Sequence, residues 1–120
     1  MLNLDTHVLI HALAGSLRPR EQTLLAGSSW SISAIVHWEI AKLAQLGRIV
    51  FDLDDPDLTR VLSRIQVWPL SREVAVMSTR LDIDSDPADE LIAATSIVHK
   101  VPLLTRDRVL LRSKQIPLAR

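Results

Sequence analysis

The sequence contains no cysteine, so disulfide bonds and thiolate metal sites are both excluded. Any bound metal ion must therefore be held by oxygen or histidine ligands. The chain also has no stretch of about 18 or more uncharged apolar residues, which argues against a membrane-spanning helix. Its first residues carry Asp5 where a secretory signal would carry Lys or Arg, and we expect a cytoplasmic protein.

An excess of charge of either sign is missing as well, because 14 Lys and Arg balance 14 Asp and Glu. This balance argues against a nonspecific nucleic-acid coat protein, which binds by releasing many phosphate counterions. The basic residues are nevertheless concentrated near the end of the chain, at Lys100, Arg106, Arg108, Arg112, Lys114 and Arg120. One interpretation is a surface that binds a polyanion, and the other is an ordinary solvated surface.

Length and composition predict one globular domain that spans residues 1–120. The chain is 48% hydrophobic and 23% charged, within the ordinary range for folded proteins. Two domains of half this length would each be too small to bury a sufficient core.

Short apolar segments alternate with segments of helical periodicity. Strands are predicted at 1–4, 30–33, 67–70 and 101–104, with weaker extended pieces at 48–53 and 116–118. Helices are predicted at 6–14, 18–26, 34–46, 56–65, 71–81, 87–99 and 106–112. Strands separated by helices favour parallel pairing with right-handed crossovers, so we expect a three-layer α/β/α sandwich around a short, mostly parallel sheet.

Two acids, Asp5 and Asp107, directly follow predicted strands. Ligands of such sheets bind beyond the carboxyl ends of the strands, which makes both acids candidate site residues. Each is also well placed to cap the helix that follows it, and position alone leaves that alternative open.

Glu39 is less easily explained as a structural residue, because it shares a helical face with Ile35, Leu43 and Leu46. A carboxylate on an apolar face costs free energy unless it has a partner. The structural alternative is an ion pair with Lys42, but pairs of this kind contribute only about 0.3 to 0.5 kcal/mol.

Asp89 lies in the first turn of helix 87–99, where the helix dipole favours an acid whatever its function. Asp86 and Glu90 have the same structural explanation, and Asp86, which precedes Pro87, is also predicted to cap this helix. If Asp5, Glu39, Asp89 and Asp107 meet at one sheet edge, a cation is needed to relieve their repulsion. Oxygen ligands favour Mg²⁺ or Mn²⁺, and metal-activated water makes phosphodiester hydrolysis the leading chemistry.

The order and spacing of several short motifs resemble the PIN-domain nucleases, and among them the VapC-like toxins of VapBC toxin–antitoxin systems. The motifs are Leu4-Asp5-Thr6-His7, Ile32-Ser33-Ala34-Ile35, Trp38-Glu39-Ile40-Ala41, Leu46-Gly47-Arg48-Ile49, Asp86-Pro87-Ala88-Asp89, Ile92-Ala93-Ala94-Thr95 and Pro102-Leu103-Leu104-Thr105-Arg106-Asp107. The resemblance covers nearly the whole chain and is carried by the combination of motifs.

The resemblance implies that Asp5, Glu39, Asp89 and Asp107 form a catalytic, metal-binding acidic pocket, with Thr6 and Thr105 as supporting polar residues. It also implies Mg²⁺ or Mn²⁺ as cofactor, an RNA substrate such as tRNA or rRNA, inhibition by a cognate VapB-like antitoxin, and a homodimer. Water would attack the phosphodiester and leave a 5′-phosphate. The basic residues expected to contact RNA are Arg106, Arg108, Arg112 and Lys114.

Two positions depart from the family pattern. Val36 replaces a serine found in many relatives, which predicts a missing polar contact near the site. Glu90 replaces an arginine found in many relatives and could weaken RNA binding or alter metal affinity. The alternative function is a catalytically silent module that binds RNA or protein.

Two further interpretations concern histidine and tryptophan. His7 and His11 have a spacing that can bind zinc, but Val8 stands where the zinc-protease motif has its glutamate, so positions behind the acids or on the surface are favoured. Trp30, Trp38 and Trp68 could stack on bases, but core packing is the favoured interpretation.

Overall fold

The structure is a computed structural model that describes residues 1–120. Its centre is a sheet of four parallel strands in the order β3-β2-β1-β4. The strands are β1 Leu2–Leu4, β2 Trp30–Ser33, β3 Gln66–Trp68 and β4 Leu103–Leu104. The predicted parallel sheet is therefore confirmed, with β1 and β2 as its inner strands.

Seven helices connect and cover the strands. They are α1 Thr6–Ala14, α2 Pro19–Ala26, α3 Ala34–Gln45, α4 Pro56–Leu62, α5 Arg72–Ser78, α6 Pro87–His99 and α7 Arg108–Leu111. No helix combines the length and the apolar character that a membrane crossing requires.

Both faces of the sheet are covered. Leu2, Asn3 and Leu4 of β1 are all buried, although successive residues of a strand point to opposite faces. Such a strand needs helices on each side, as in other all-parallel sheets. The predicted three-layer α/β/α arrangement is confirmed, and one hydrophobic cluster of 15 buried residues forms its core.

A buried polar contact fixes β1 against α6. Asn3 Nδ2 donates a 2.9 Å hydrogen bond to Ser96 Oγ, and both residues are fully buried. Because Asp5 follows β1 and Asp89 lies in the first turn of α6, this contact helps to hold the two acid-bearing elements in register.

Several element boundaries differ from the predictions. Residues 48–53 form no strand, and Val50 is 99% exposed, because the segment has no neighbouring strand with which to pair. The predicted edge strand 116–118 contributes only one parallel bridge, between Leu118 and Leu103. The helix predicted from residue 106 begins at Arg108, because Asp107 caps it.

Candidate active site

Asp5 lies at the carboxyl end of β1 and is only 3% exposed. Its Oδ1 accepts a 2.8 Å hydrogen bond from the Thr6 amide, and its Oδ2 accepts a 2.6 Å hydrogen bond from Thr105 Oγ. The first contact caps the N-terminus of α1, so the capping role that the sequence left open for Asp5 is correct for one of its oxygens. The second oxygen is held by a residue that follows β4.

Asp107 is joined to Asp5 through the same threonine. Its backbone amide donates to Thr105 Oγ at 3.0 Å, while its Oδ1 accepts from the amides of Val109 and Leu110. Asp107 is therefore also a helix cap. Because β1 and β4 are neighbouring parallel strands, their ends place both acids at one edge of the sheet.

Glu39 turns toward this edge from α3. Its Oε1 accepts a hydrogen bond from Thr6 Oγ, and Thr6 is almost completely buried. No salt bridge joins Glu39 to Lys42, whose Nζ donates to Gln45 instead. The ion-pair explanation for Glu39 is therefore wrong, and its partner is a hydroxyl beside Asp5.

Asp89, in the first turn of α6, is the fourth acid. Its Oδ2 accepts a 3.2 Å hydrogen bond from Ser85 Oγ. Burial raises the pKa of Asp89 to about 6, with the negative charges of Asp5 and Glu39 contributing in the same direction. Asp107 adds a smaller effect of the same sign.

The pKa values of Asp5 and Glu39 are raised by burial and by the same crowding of acids. Burial raises the pKa of Asp5, although the Thr105 hydroxyl opposes this shift, and the charge of Asp107 adds to it. Burial likewise raises the pKa of Glu39, with the charge of Asp5 contributing. The four acids predicted from the sequence are thus within electrostatic reach of one another, and the ionised forms of Asp5, Glu39 and Asp89 are disfavoured.

Three carboxylate oxygens have no hydrogen-bond partner and remain accessible to solvent, namely Oε2 of Glu39, Oδ1 of Asp89 and Oδ2 of Asp107. Oxygen donors of this kind suit a hard divalent cation. No three acidic or histidine side chains are yet arranged around a single point. The donor chemistry of the three free oxygens fits a divalent cation.

Asp86 was explained from the sequence as a helix cap, but the structure shows no side-chain capping bond from it. Its charge instead contributes to the raised pKa of Glu39. Asp86 is therefore a fifth acid near the site. The capping explanation concealed it, because an Asp-Pro pair before a helix normally indicates a cap.

The two departures from the family pattern have different surroundings. Val36 is fully buried and belongs to the hydrophobic core. Its side chain packs among apolar residues, so this packing gives no sign of the missing polar contact predicted at this position. Glu90 Oε2 accepts a 3.3 Å hydrogen bond from the Ser85 amide, so Ser85 contacts both Asp89 and Glu90.

The basic residues predicted to contact RNA do not form one group. Arg106 makes a two-bond ion pair with Glu21, whereas Arg108, Arg112 and Lys114 are exposed and form no salt bridge. The side chains of Arg108, Arg112 and Lys114 are therefore accessible to a ligand, whereas Arg106 is paired within the protein.

No group of three acidic or histidine side chains includes His7 or His11. His7 is exposed, and His11 Nδ1 lies 2.8 Å from Ser16 Oγ. The surface interpretation is therefore confirmed for His7.

The core-packing prediction for the tryptophans is correct for Trp30 and wrong for Trp38. Trp30 packs against the core, whereas Trp68 is half-buried outside the hydrophobic cluster and stacks on His99 with ring centroids 4.0 Å apart. Trp38 is 55% exposed, because the buried face of α3 is formed by Val36 and Ile40.

Comparisons with solved structures agree on the fold. The chain superposes on a toxin–antitoxin complex from Klebsiella pneumoniae with a TM-score of 0.76 and 19% identity, covering 100% of this chain and 97% of that one. It superposes on VapBC2 from Rickettsia felis, bound to a promoter DNA fragment, with a TM-score of 0.72, 20% identity and coverage of 99% and 98%. It superposes on DNA-bound VapBC from Salmonella typhimurium with a TM-score of 0.72, 22% identity and coverage of 99% and 98%.

Sequence comparison with curated proteins gave no match. The family model of the PIN domain, however, matches residues 3–115, a span that contains all four acids and both supporting threonines. The chain therefore belongs to the PIN domain family.

Proposed function

We propose that the protein is a metal-dependent endoribonuclease toxin that hydrolyses RNA phosphodiester bonds and is neutralised by a cognate VapB-like antitoxin. The observation that carries the proposal is the mutual electrostatic stress among Asp5, Glu39, Asp89 and Asp107, with the pKa of Asp89 raised to about 6. Four acids held in this way destabilise a protein without a cation, so a functional reason is needed for all four. Membership of the PIN domain family supports a nuclease activity.

Asp5, Glu39, Asp89 and Asp107 would hold Mg²⁺ or Mn²⁺. When bound, such a cation activates water and stabilises the charge that develops on a phosphodiester. Thr105 fixes one oxygen of Asp5, and Thr6 fixes one oxygen of Glu39, so these two acids are oriented before substrate arrives. Attack by water instead of the ribose 2′-hydroxyl would leave a 5′-phosphate on the product.

The structural relatives support the toxin role and the antitoxin partner. The complexes from Klebsiella, Rickettsia and Salmonella are toxin–antitoxin assemblies, and the matches cover nearly the whole of both chains. A homodimer and a cytoplasmic location remain part of the proposal.

The nuclease activity is tested by incubating the protein with structured RNA and Mg²⁺ or Mn²⁺, with and without EDTA. We expect cleavage that stops in EDTA and in Asp5→Asn, and that persists in Asp54→Asn, which alters an exposed acid of the loop before α4. RNA binding without cleavage, unchanged by Asp5→Asn, would contradict the proposal and favour a silent binding module.

The toxin role is tested in cells. Expression of the parent should arrest bacterial growth, expression of Asp5→Asn should not, and coexpression with a small DNA-binding protein encoded immediately upstream should restore growth. Growth arrest that survives Asp5→Asn would separate toxicity from the nuclease site.

A further inference from the structure

A separate cavity, of about 410 Å³, lies beside the acids. We call it the arginine pocket. Its charged and polar lining comprises Arg18, Arg20, Glu21, Thr105, Arg106 and Arg120. Four arginines and one acid thus line a cavity in a chain whose total charge is zero.

The only acid of the arginine pocket is already neutralised. Glu21 accepts hydrogen bonds of 2.7 and 2.6 Å from Nε and Nη2 of Arg106, and Glu21 itself is 4% exposed. This pair joins α2 to the segment after β4 and forms part of the wall. It leaves Arg18, Arg20 and Arg120 without an acidic partner, since none of them takes part in a salt bridge.

Arg20 has a hydrogen bond that positions it without cancelling its charge. Its Nη2 donates to the Ala119 carbonyl at 3.3 Å, and Ala119 also lines the cavity. The guanidinium keeps other N–H groups for an anion, and the fork of an arginine suits phosphate oxygens.

The arginine pocket adjoins the acids through Thr105. This residue lines the pocket and also donates the hydrogen bond that holds Asp5. Helix α1 provides a second connection. Thr6, at the start of this helix, donates a hydrogen bond to Glu39. Burial lowers the pKa of His11, further along the helix, and the charges of Arg106 and Arg18 in the pocket lining contribute in the same direction.

The lining also indicates which part of a nucleic acid is bound. No aromatic side chain lines the arginine pocket, so it offers no platform on which a base could stack. Arginine guanidiniums bind phosphate oxygens, and such contacts position a strand without reading its sequence. We infer that the arginine pocket binds a backbone phosphate of the RNA strand next to the bond that lies at the acids. This inference rests on the proposed nuclease function and names residues, Arg18 and Arg20, that lie far in sequence from the basic cluster near the end of the chain.

The test uses Asp5→Asn in EDTA, so that RNA stays intact, and follows a short fluorescein-labelled single-stranded RNA by anisotropy over a range of salt concentrations. Adding Arg18→Gln and Arg20→Gln should weaken binding roughly ten-fold and reduce the slope of log K against log salt by about 0.7 for each phosphate that the variant no longer binds. The matched control is Arg72→Gln with Arg80→Gln, two exposed arginines on or next to α5 that form no salt bridge. Arg18→Lys with Arg20→Lys should restore most of the salt slope, and thermal melting should show that all variants fold.

The outcomes separate this inference from the proposed function. Equal RNA affinity in the pocket variant and the control variant would overturn the inference, while metal-dependent cleavage by the parent would still support the nuclease. Failure of the parent to cut RNA, together with pocket-dependent binding, would refute the nuclease alone. If labelled poly-L-glutamate binding depends on Arg18 and Arg20 and RNA binding does not, the pocket accepts an acidic protein segment and the inference is wrong.

Discussion

The hydroxyl of Thr105 donates a 2.6 Å hydrogen bond to Oδ2 of Asp5, across 100 positions of sequence. The hydroxyl oxygen of Thr105 also accepts a bond from the amide of Asp107, so one side chain connects the acids that follow β1 and β4. The contact with Asp5 is buried, and it opposes the effect of burial on the pKa of Asp5. Thr105 is therefore a positioning residue that also favours the ionised form of Asp5.

Replacing Thr105 with Val should remove the hydrogen bond that positions Asp5 and should make the ionised form of Asp5 less favourable. The change keeps the shape but leaves a buried carboxylate oxygen unpaired, which should cost about 1 to 2 kcal/mol of the free energy of unfolding. Because the hydrogen bond from Thr105 lowers the pKa of Asp5, that pKa should rise, and the acidic limb of the pH–rate profile should move to higher pH. Urea denaturation and RNA cleavage measured against pH check the two effects.

The control for this change is Thr59→Val, since Thr59 is exposed on α4 and its hydroxyl bonds only to a backbone carbonyl. Thr105→Ser should restore the pH–rate profile, because it keeps the hydroxyl. A lower kcat with an unmoved pH profile in Thr105→Val would mean that Thr105 supports the fold and leaves the ionisation of Asp5 unaffected.

The crowded acids should make the protein less stable as pH rises when no cation is present. The pKa of Asp89 is about 6 in the folded chain, above its ordinary value of 3.8, so the folded state binds this proton more tightly than the unfolded state. The free energy of unfolding in EDTA should therefore fall as pH rises from about 4 through 6 and then level off. Asp5 and Glu39 shift in the same direction.

Asp89→Asn should remove part of this dependence. Above pH 6 the variant should be more stable than the parent in EDTA, by about 1 kcal/mol once solvent screening is included. Urea denaturation at several pH values provides the measurement, and Asp54→Asn serves as an exposed control. If Asp89→Asn is less stable than the parent at every pH, Asp89 acts as a stabilising first-turn acid of α6.

A divalent cation bound at the site should relieve the repulsion among these acids and so stabilise the folded chain. A ligand that binds only the folded chain stabilises it by about 2.7 kcal/mol at roughly 100 times its Kd, so Mn²⁺ should raise the Tm in a concentration-dependent way. Mn²⁺ should raise the Tm of Asp89→Asn less than that of the parent, and it should raise the Tm of Asp54→Asn as much as that of the parent. Scanning calorimetry with Mn²⁺ and with K⁺ at matched ionic strength distinguishes binding from screening, and equal shifts in all three proteins would indicate a nonspecific effect.

The acids were predictable because each left a local signal. Asp5 follows β1, and Glu39 lies on the helix that follows the neighbouring strand β2, so the strand order and the short connection after β2 bring both acids to one sheet edge. Arg18 and Arg20 left no such signal, since their relation to Arg106 depends on an ion pair between residues 85 positions apart. Trp38 was wrongly assigned to the core because a tryptophan on an amphipathic helix is usually buried, whereas here it lies outside the face that α3 packs.

The ion pair between Glu21 and Arg106 supports a final prediction. Hydrogen bonds from Arg106 lower the pKa of Glu21 to about 2, so the pair contributes stability above pH 4.5 that is lost as pH falls from about 4.5 toward 2. Arg106→Gln leaves Glu21 charged and buried, which should cost about 3 kcal/mol at about pH 7 and much less at about pH 3. Glu21→Gln combined with Arg106→Gln should recover part of this loss, because two neutral amides can remain hydrogen bonded. Urea denaturation of the four proteins of this double-mutant cycle at both pH values measures the coupling, and a coupling that is equal at the two pH values would mean that packing, and not charge, holds α2 against the segment after β4.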